Sequence, residues 1–302
     1  MREVIATDIP VIRKLLRDAL QISDYKDVER LGGLTNHTYR VVVEENSVYA
    51  VRLPGEGTEE LINRSNERIS TQLACELGID AQLLYFGPSG EKITRYINGA
   101  QTLSAESFYN PEILHKTAEV LHALHTSGID TKVPFDVFEM ASGYEKIIRD
   151  NSVKLFDGYE EMKAQIMKIR RRVTGDNIEI VPCHNDPLCE NWILGEDGKL
   201  YLIDWEYAGM NDGMWDLADV SIEANLCPEQ DMSLLRFYFE RDVKREELVR
   251  FHANKLYLDF LWSLWGKARV PFDGEEMERY GQERYTRLKK NMDAFLRDFP
   301  IV

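Results

Sequence analysis

The sequence predicts an α+β protein in two parts: a small β-sheet N-terminal lobe with one long helix, and a larger, mainly helical C-terminal lobe. Three observations predict it. Strand-like runs gather before residue 98, helical periodicity dominates after it, and one isolated hairpin pattern interrupts the helical half near residues 192–203. Strands grouped first and helices grouped later is not the alternating order of a doubly wound sheet. The boundary is predicted at Asn98-Gly99, dividing the chain into 1–98 and 99–302.

The first 25 or so residues read as a helix, because Ile9, Ile12, Leu15, Leu16 and Leu20 recur at helical spacing behind a cap offered by Thr7 and Asp8. Strand-like runs follow. Val28 to Leu31 leads into Gly32-Gly33, and Tyr39–Val43 and Val48–Leu53 flank a polar Glu44-Glu45-Asn46-Ser47 turn. Glu59 to Leu77 is predicted helical, with Leu61, Ile62, Ile69, Leu73 and Leu77 on one side and Gly78 as the stop. Gln82–Phe86 and Lys92–Ile97 are strands turned by Pro88-Ser89-Gly90. Beyond Asn98, helices are predicted over Pro111–Thr126, Gly143–Asn151 and Tyr159–Val173. Ile178–Val181 is a strand-like island, and Trp192–Leu194 and Leu200–Ile203 form a hairpin around Glu196-Asp197-Gly198-Lys199. Asp212 to Leu296 is helical again.

Composition narrows the function. The 302 residues carry 37 basic and 52 acidic side chains, a net charge of −15. That argues against nucleic acid, which calls for a basic footprint, and against docking on an anionic membrane. It suits a cationic small molecule through long-range attraction, although solubility alone also explains it. No apolar run approaches the ~18 residues of a membrane helix, and the first eight residues carry no signal-peptide core. Cys75, Cys183, Cys189 and Cys227 form no metal framework, so free thiols in a reducing, cytoplasmic setting are expected. His122 and His125 share a helix face without a third ligand, which reads as helix packing rather than a metal site.

The strongest chemical signal is His184-Asn-Asp186-Pro-Leu-Cys-Glu-Asn191, followed by Asp204 on the next hairpin. Phosphoryl transfer calls for this set: a carboxylate to take or orient the proton of the attacking hydroxyl, and an amide oxygen with a second carboxylate to hold magnesium. Protein kinases space their catalytic Asp and Asn identically. A solvated turn explains one such motif, but less readily the motif together with Asp204. In the N-terminal half, Gly33, Thr35 and Asn36 lie in a loop whose backbone N–H groups are suited to phosphate, although a plain hairpin turn reads equally well. Arg52 occupies the strand position of the kinase lysine, and Glu67 on the long helix is its expected partner.

Three stretches carry a family resemblance: Leu31-Gly-Gly-Leu-Thr-Asn36, His184 to Asn191, and Leu202-Ile-Asp-Trp-Glu-Tyr-Ala-Gly-Met-Asn-Asp-Gly-Met-Trp-Asp-Leu-Ala218. From Leu31 to about Leu288 the sequence resembles the choline/ethanolamine kinase branch of the aminoglycoside-phosphotransferase-like kinases. The resemblance implies a bilobal protein-kinase-like fold with ATP between the lobes. It implies Asp186 as catalytic base, Asn191 and Asp204 as Mg²⁺ ligands, and Arg52, braced by Glu67, on the α/β-phosphates. Adenine is expected against backbone groups near Arg95 and Ile97. His184 is implied as a brace of its loop, and Asp216 as a support beneath it.

Choline has no N–H to donate, so aromatic faces and diffuse negative charge must hold its head group. Trp262 and Trp265 lie three apart on one helix. The bare spacing reads as core packing. The resemblance instead implies a pocket of Tyr207, Glu223, Trp262 and Trp265, with Tyr280 as a looser match. The implied reaction is ATP-dependent phosphorylation of choline. Ethanolamine kinase, aminoglycoside phosphotransferase and a non-catalytic kinase-like binding module are the alternatives. The module predicts loss of a base or metal residue, yet Asp186, Asn191 and Asp204 are all present.

Overall fold

In the computed structural model the N-terminal apolar stripe forms α1 (Asp8–Leu20), which buries Ile12 and Leu16. The structure describes residues 4–32, 36–55, 62–173 and 178–300. Asp8 lies inside the helix and Thr7 makes no side-chain cap, so the predicted cap is corrected. Instead the Asp8 carboxylate accepts hydrogen bonds from Tyr39 (2.5 Å) and pairs with His37 (2.8 Å) on the neighbouring sheet.

That sheet has the order β1-β2-β3-β5-β4 and is antiparallel throughout. Its strands are β1 (Asp27–Gly32), β2 (Asn36–Glu44), β3 (Ser47–Pro54), β4 (Leu83–Phe86) and β5 (Lys92–Arg95). Alternation decides what each face carries. Tyr39, Val41, Tyr49, Val51, Leu53 and Ile93 pack with Ile12 and Leu16 into one core. Residues of opposite parity, Arg52 among them, point to the other face.

Helix α2 (Arg64–Glu76) begins later than its periodicity suggests. Asn63, itself extended, caps the helix, accepting from the N–H groups of Ser65 and Asn66 at 3.1 and 3.2 Å. Ile69, predicted on the apolar side, is 43% exposed, because the buried face follows Glu67, Ser70, Thr71 and Ala74. Ile62 and Leu73 are buried as expected, so among the described residues Ile69 alone falls off the predicted face. Gly33, Leu34, Thr35 and residues 56–61 lie outside the described residues.

Contacts divide the chain into two units, one of Met1–Ser107 with Cys189–Ala208 and one of Phe108–Leu188 with Gly209–Val302. The predicted hairpin, β8 (Trp192–Leu194) and β9 (Leu200–Leu202), thus groups with the first unit rather than with residues 99–302. The reason is local pairing. β6 (Gln101–Thr102) pairs with β8, the Leu202 N–H donates to Ile79 O at 3.1 Å, and the Glu196 N–H donates to Asn98 O at 2.9 Å.

The second unit is built from α3 (Pro111–His125), α4 (Val137–Asp150), α5 (Tyr159–Val173), α6 (Met214–Glu223), α7 (Pro228–Phe239), α8 (Arg245–Asp273) and α9 (Glu275–Asp298). Helix α4 starts six residues before its predicted limit, because Asp136 caps it through the N–H groups of Phe138 and Glu139. One strand pair, β7 (Ile180–Cys183) with β10 (Gly209–Asp212), stands among the helices. Strand β10 was not predicted; its pattern is too short and too polar to stand out from a loop. Helices α8 and α9 approach closely at Gly266 and Gly281. A Cβ on Gly266 would lie 2.9 Å from the Gly281 Cα, so only glycine permits this crossing.

His252 on α8 lies against Phe299, ring centroids 5.3 Å apart. Burial, reinforced by Lys255, lowers its pKa to about 4. A depressed histidine contributes stability that is complete above its ordinary pKa of ~6.5 and is lost as pH falls toward 4. His252→Gln is therefore expected to flatten the acid side of the stability profile. Wild type should lose on the order of 2 kcal/mol more than the variant between pH 6.5 and 4. Parallel denaturation curves of the two across that window would disprove it.

Candidate active site

The first unit concentrates charge on the sheet face away from α1. Arg52 on β3 and Glu67 on α2 are both buried and form an ion pair. Arg52 also donates to Asp204 Oδ1 at 2.8 Å and to Gly90 O at 3.1 Å. Burial opposes the Arg52 charge, but Glu67, Asp204 and Glu206 outweigh it and raise its pKa above the ordinary value. The predicted Arg52–Glu67 pair is thus present.

Sequence reasoning gave no role to two further members, Arg64 and Glu206. Arg64, at the start of α2, donates to Glu67 at 2.7 Å and reaches Glu206 at 3.4 Å. Its signal was the i,i+3 spacing to Glu67. Asn36, predicted at the phosphate loop, donates from Nδ2 to Glu206 Oε2 at 3.0 Å. Burial, then the nearby Asp204, raises the Glu206 pKa to about 7, although Arg52 and Asn36 oppose the shift. Gly33 and Thr35 lie outside the described residues.

Asn191 closes a short 3₁₀ turn, Cys189–Asn191, and its carbonyl accepts from the Ile203 N–H at 2.9 Å. That bond fastens Asn191 to the residue before Asp204. Asp204 has φ +70°, a left-handed conformation that aspartate tolerates better than most side chains. The donors are an amide and a carboxylate, the hard oxygen set suited to Mg²⁺.

Arg95 and Ile97 border a cavity of about 640 Å³ in the first unit, together with Asp80, Gln82, Lys199 and Tyr201. The Arg95 N–H is committed to Gln82 O at 2.9 Å and the Tyr96 N–H to Val48 O at 3.1 Å. A purine on this stretch has to use its other backbone groups.

The second unit carries Asp186 on a loop held from below. Asp216 accepts from the N–H groups of His184 and Asn185, both at 2.8 Å. Trp215 Nε1 donates to Asn185 O at 2.9 Å. The Asn185 side chain donates to Gly209 O and accepts from Asn211. His184 Nδ1 accepts from the Asp186 N–H at 3.3 Å. Asn185 has φ +67°, so these bonds hold a conformation of low intrinsic population. His125 is buried, with one ring nitrogen 2.9 Å from the Tyr238 hydroxyl and the other 3.1 Å from Asp216.

Four predicted acceptor residues share this unit. Trp262 and Trp265 meet edge to face with centroids 6.3 Å apart, and Trp265 meets Tyr280 at 5.6 Å. The Gly266–Gly281 crossing sets those rings side by side, because each glycine is the neighbour of one ring. Glu223 accepts from Arg284 at 2.5 Å, and Arg284 lies over the Tyr280 ring at 5.1 Å. Burial raises the Tyr280 pKa, so its hydroxyl stays neutral. Tyr207 belongs to the first unit.

The profile of the choline/ethanolamine kinase family matches residues 28–259. The chain belongs to that family. It is 29% identical over 271 residues to the protein LicA of Haemophilus influenzae, covering 85% of this chain and 76% of that one. It is also 29% identical over 297 residues to a probable ethanolamine kinase of Arabidopsis thaliana, covering 87% and 79%. Among solved structures it resembles a choline/ethanolamine kinase family protein from Mesorhizobium loti, with TM-score 0.83, 33% identity and 94% of each chain covered. It resembles the choline kinase LicA from Streptococcus pneumoniae with TM-score 0.82 and 31% identity, covering 96% and 100%; a structure of LicA in complex with AMP is similar too. A spectinomycin phosphotransferase shares the fold alone, at 15% identity and TM-score 0.65. This choline/ethanolamine kinase family member is a small-molecule kinase of protein-kinase-like fold. Among its described residues, no helix is long and apolar enough to cross a membrane.

Proposed function

We propose that this kinase transfers the γ-phosphoryl group of ATP to the hydroxyl of choline, giving phosphocholine and ADP. The observation that carries the choice of substrate is the Trp262–Trp265–Tyr280 group, in which the Trp265 ring meets both of the others, with Glu223 linked to Tyr280 through Arg284. A quaternary ammonium is held by such faces, each contact contributing roughly 0.5–2 kcal/mol when desolvated. Three together support about millimolar affinity or better without a hydrogen bond. The similarity to LicA supports the same reading.

In this reading, Asn191 and Asp204 hold Mg²⁺, which neutralises charge on the phosphates. Arg52 would contact the α/β-phosphates, and Glu67 keeps its guanidinium in place. Arg64 joins Arg52 as a second cation, and adenine lies along the stretch near Arg95 and Ile97. Asp186 orients the choline hydroxyl and accepts its proton. The hydroxyl oxygen forms a bond to the γ-phosphorus as the bond to the β–γ bridging oxygen breaks, and ADP leaves with those electrons.

Ethanolamine is the second reading, favoured by the equal identity to the Arabidopsis protein. Excluding a smaller head group by an apolar cage is worth only ~1–3 kcal/mol per missing group, so some ethanolamine turnover is expected in either case. ADP release should be measured with Mg·ATP against choline, ethanolamine and an aminoglycoside. Choline is expected to give the highest kcat/KM. A clear preference for ethanolamine would overturn the cage, and turnover only with the aminoglycoside would move the acceptor site.

Trp262→Ala is expected to raise KM for choline by about tenfold or more while KM for ATP changes little. Equal changes in both, accompanied by a lower Tm, would assign Trp262 to the core instead.

A further inference from the structure

Asp216, Asp219 and Glu223 recur at i, i+3 and i+7 on α6 and so share a helix face. The two ends of this stripe are engaged. Asp216 holds the backbone just before Asp186, and Glu223 holds Arg284, which lies on the Tyr280 ring. Asp219 stands between them, about 4.5 Å along the helix axis from one and about 6 Å from the other. It has no exposed surface. Neither of its carboxylate oxygens has a hydrogen-bond partner among the described residues. A buried, unpartnered carboxyl is costly, and a chain that keeps one has a reason for it.

The charged groups facing Asp219 are Glu223 and Asp216 on its own helix, Asp186 on the catalytic loop, and Arg284 on α9. Three are acidic. The cation among them, Arg284, is already bound to Glu223 and lies 3.5 Å from Asp259 of α8. None of these groups gives Asp219 a counter-ion of its own.

We propose that Asp219 is a specificity residue of the acceptor pocket: its carboxyl releases a proton when a cationic head group enters, and its charge then selects a cation over a neutral alcohol of the same shape. This rests on the acceptor reading above. Burial, together with Glu223 and Asp186, pushes its pKa well above the usual value and so favours the neutral form in the empty protein. An arriving positive charge favours the ionised form. The carboxyl O–H bond breaks, the electron pair stays on oxygen, and the proton passes to the buffer. By linkage, affinity for the cation rises with pH, whereas affinity for the neutral alcohol does not.

The probes are choline and its uncharged carbon analogue, 3,3-dimethylbutan-1-ol. Calorimetry of the whole chain in buffers of different ionisation enthalpy is expected to show up to about one proton released per choline, and none for the alcohol. The ratio of kcat/KM for choline to that for the alcohol is expected to rise with pH. The ratio cancels Glu206 and the nucleotide residues, which both acceptors share. Asp219→Asn should lower the ratio at least ~10-fold and flatten its pH slope, with KM for ATP unchanged. Choline binding to wild type without proton release, or an unchanged ratio and slope in Asp219→Asn, would overturn the proposal. The calorimetry needs no variant, so a poorly folding Asp219→Asn does not remove the test. Wild type that neither binds nor phosphorylates choline would overturn the acceptor reading itself. Wild type that phosphorylates choline without releasing a proton on binding would overturn only the role of Asp219.

Discussion

Asp186→Asn is expected to lower kcat by at least ~10²-fold, with KM for ATP and choline nearly unchanged. The loop bearing Asp186 is held by Asp216 through the backbone of His184 and Asn185, and by His184 through the Asp186 N–H. These bonds run through the backbone of the loop. Asparagine keeps the shape of the side chain and leaves them in place, so the variant should melt close to wild type. What it loses is the capacity to accept a proton and to orient the hydroxyl by a charged acceptor. An effect on kcat rather than KM marks an interaction made in the transition state. Near-wild-type turnover would remove Asp186 from the chemistry.

Arg52→Ala is expected to damage stability and nucleotide binding together. Glu67 has no exposed surface, and Arg52 and Arg64 are its cations. Removing one partner of a buried ion pair typically costs 3–5 kcal/mol, because the remaining charge stays buried. Arg64 retains part of the pairing, so the lower end of about 3 kcal/mol is expected, seen as a Tm lower by roughly 5–10 °C. KM for ATP is expected to rise at least ~10-fold, since the cation assigned to its phosphates is gone. Arg52→Lys should recover charge but not the simultaneous bonds to Glu67, Asp204 and Gly90, because an ammonium lacks the planar fork. It is expected to fall between wild type and the alanine variant in both readouts. An unchanged Tm and an unchanged KM for ATP in Arg52→Ala would show that the pair is ornamental.

Much of the first unit was legible because its signals are local. Alternation in β2 and β3 placed Tyr39, Val41, Val51 and Leu53 on one face and thereby Arg52 on the other. The α2 face was misread at Ile69, because the helix buries Glu67, Ser70 and Thr71 along with its apolar residues. A hydrophobicity pattern does not register a buried polar face whose groups are satisfied by partners far along the chain.

The sequence by itself determined the candidate chemical groups: an Asp and an Asn five residues apart, a second Asp on the next hairpin, an arginine on the third strand and two tryptophans on one helix. Spacing along a strand or helix is a property of the backbone, so these relations survive without a fold. Only the tertiary structure decided which charges meet. Arg64 with Glu206, and Arg284 between Glu223 and Tyr280, join segments distant in sequence. The closeness of Trp265 and Tyr280 was decided by two glycines on different helices. Asp219 is the clearest case. Its neighbours in sequence mark only a helix, and the lack of a hydrogen-bond partner among the described residues becomes visible once the surrounding elements are packed around it.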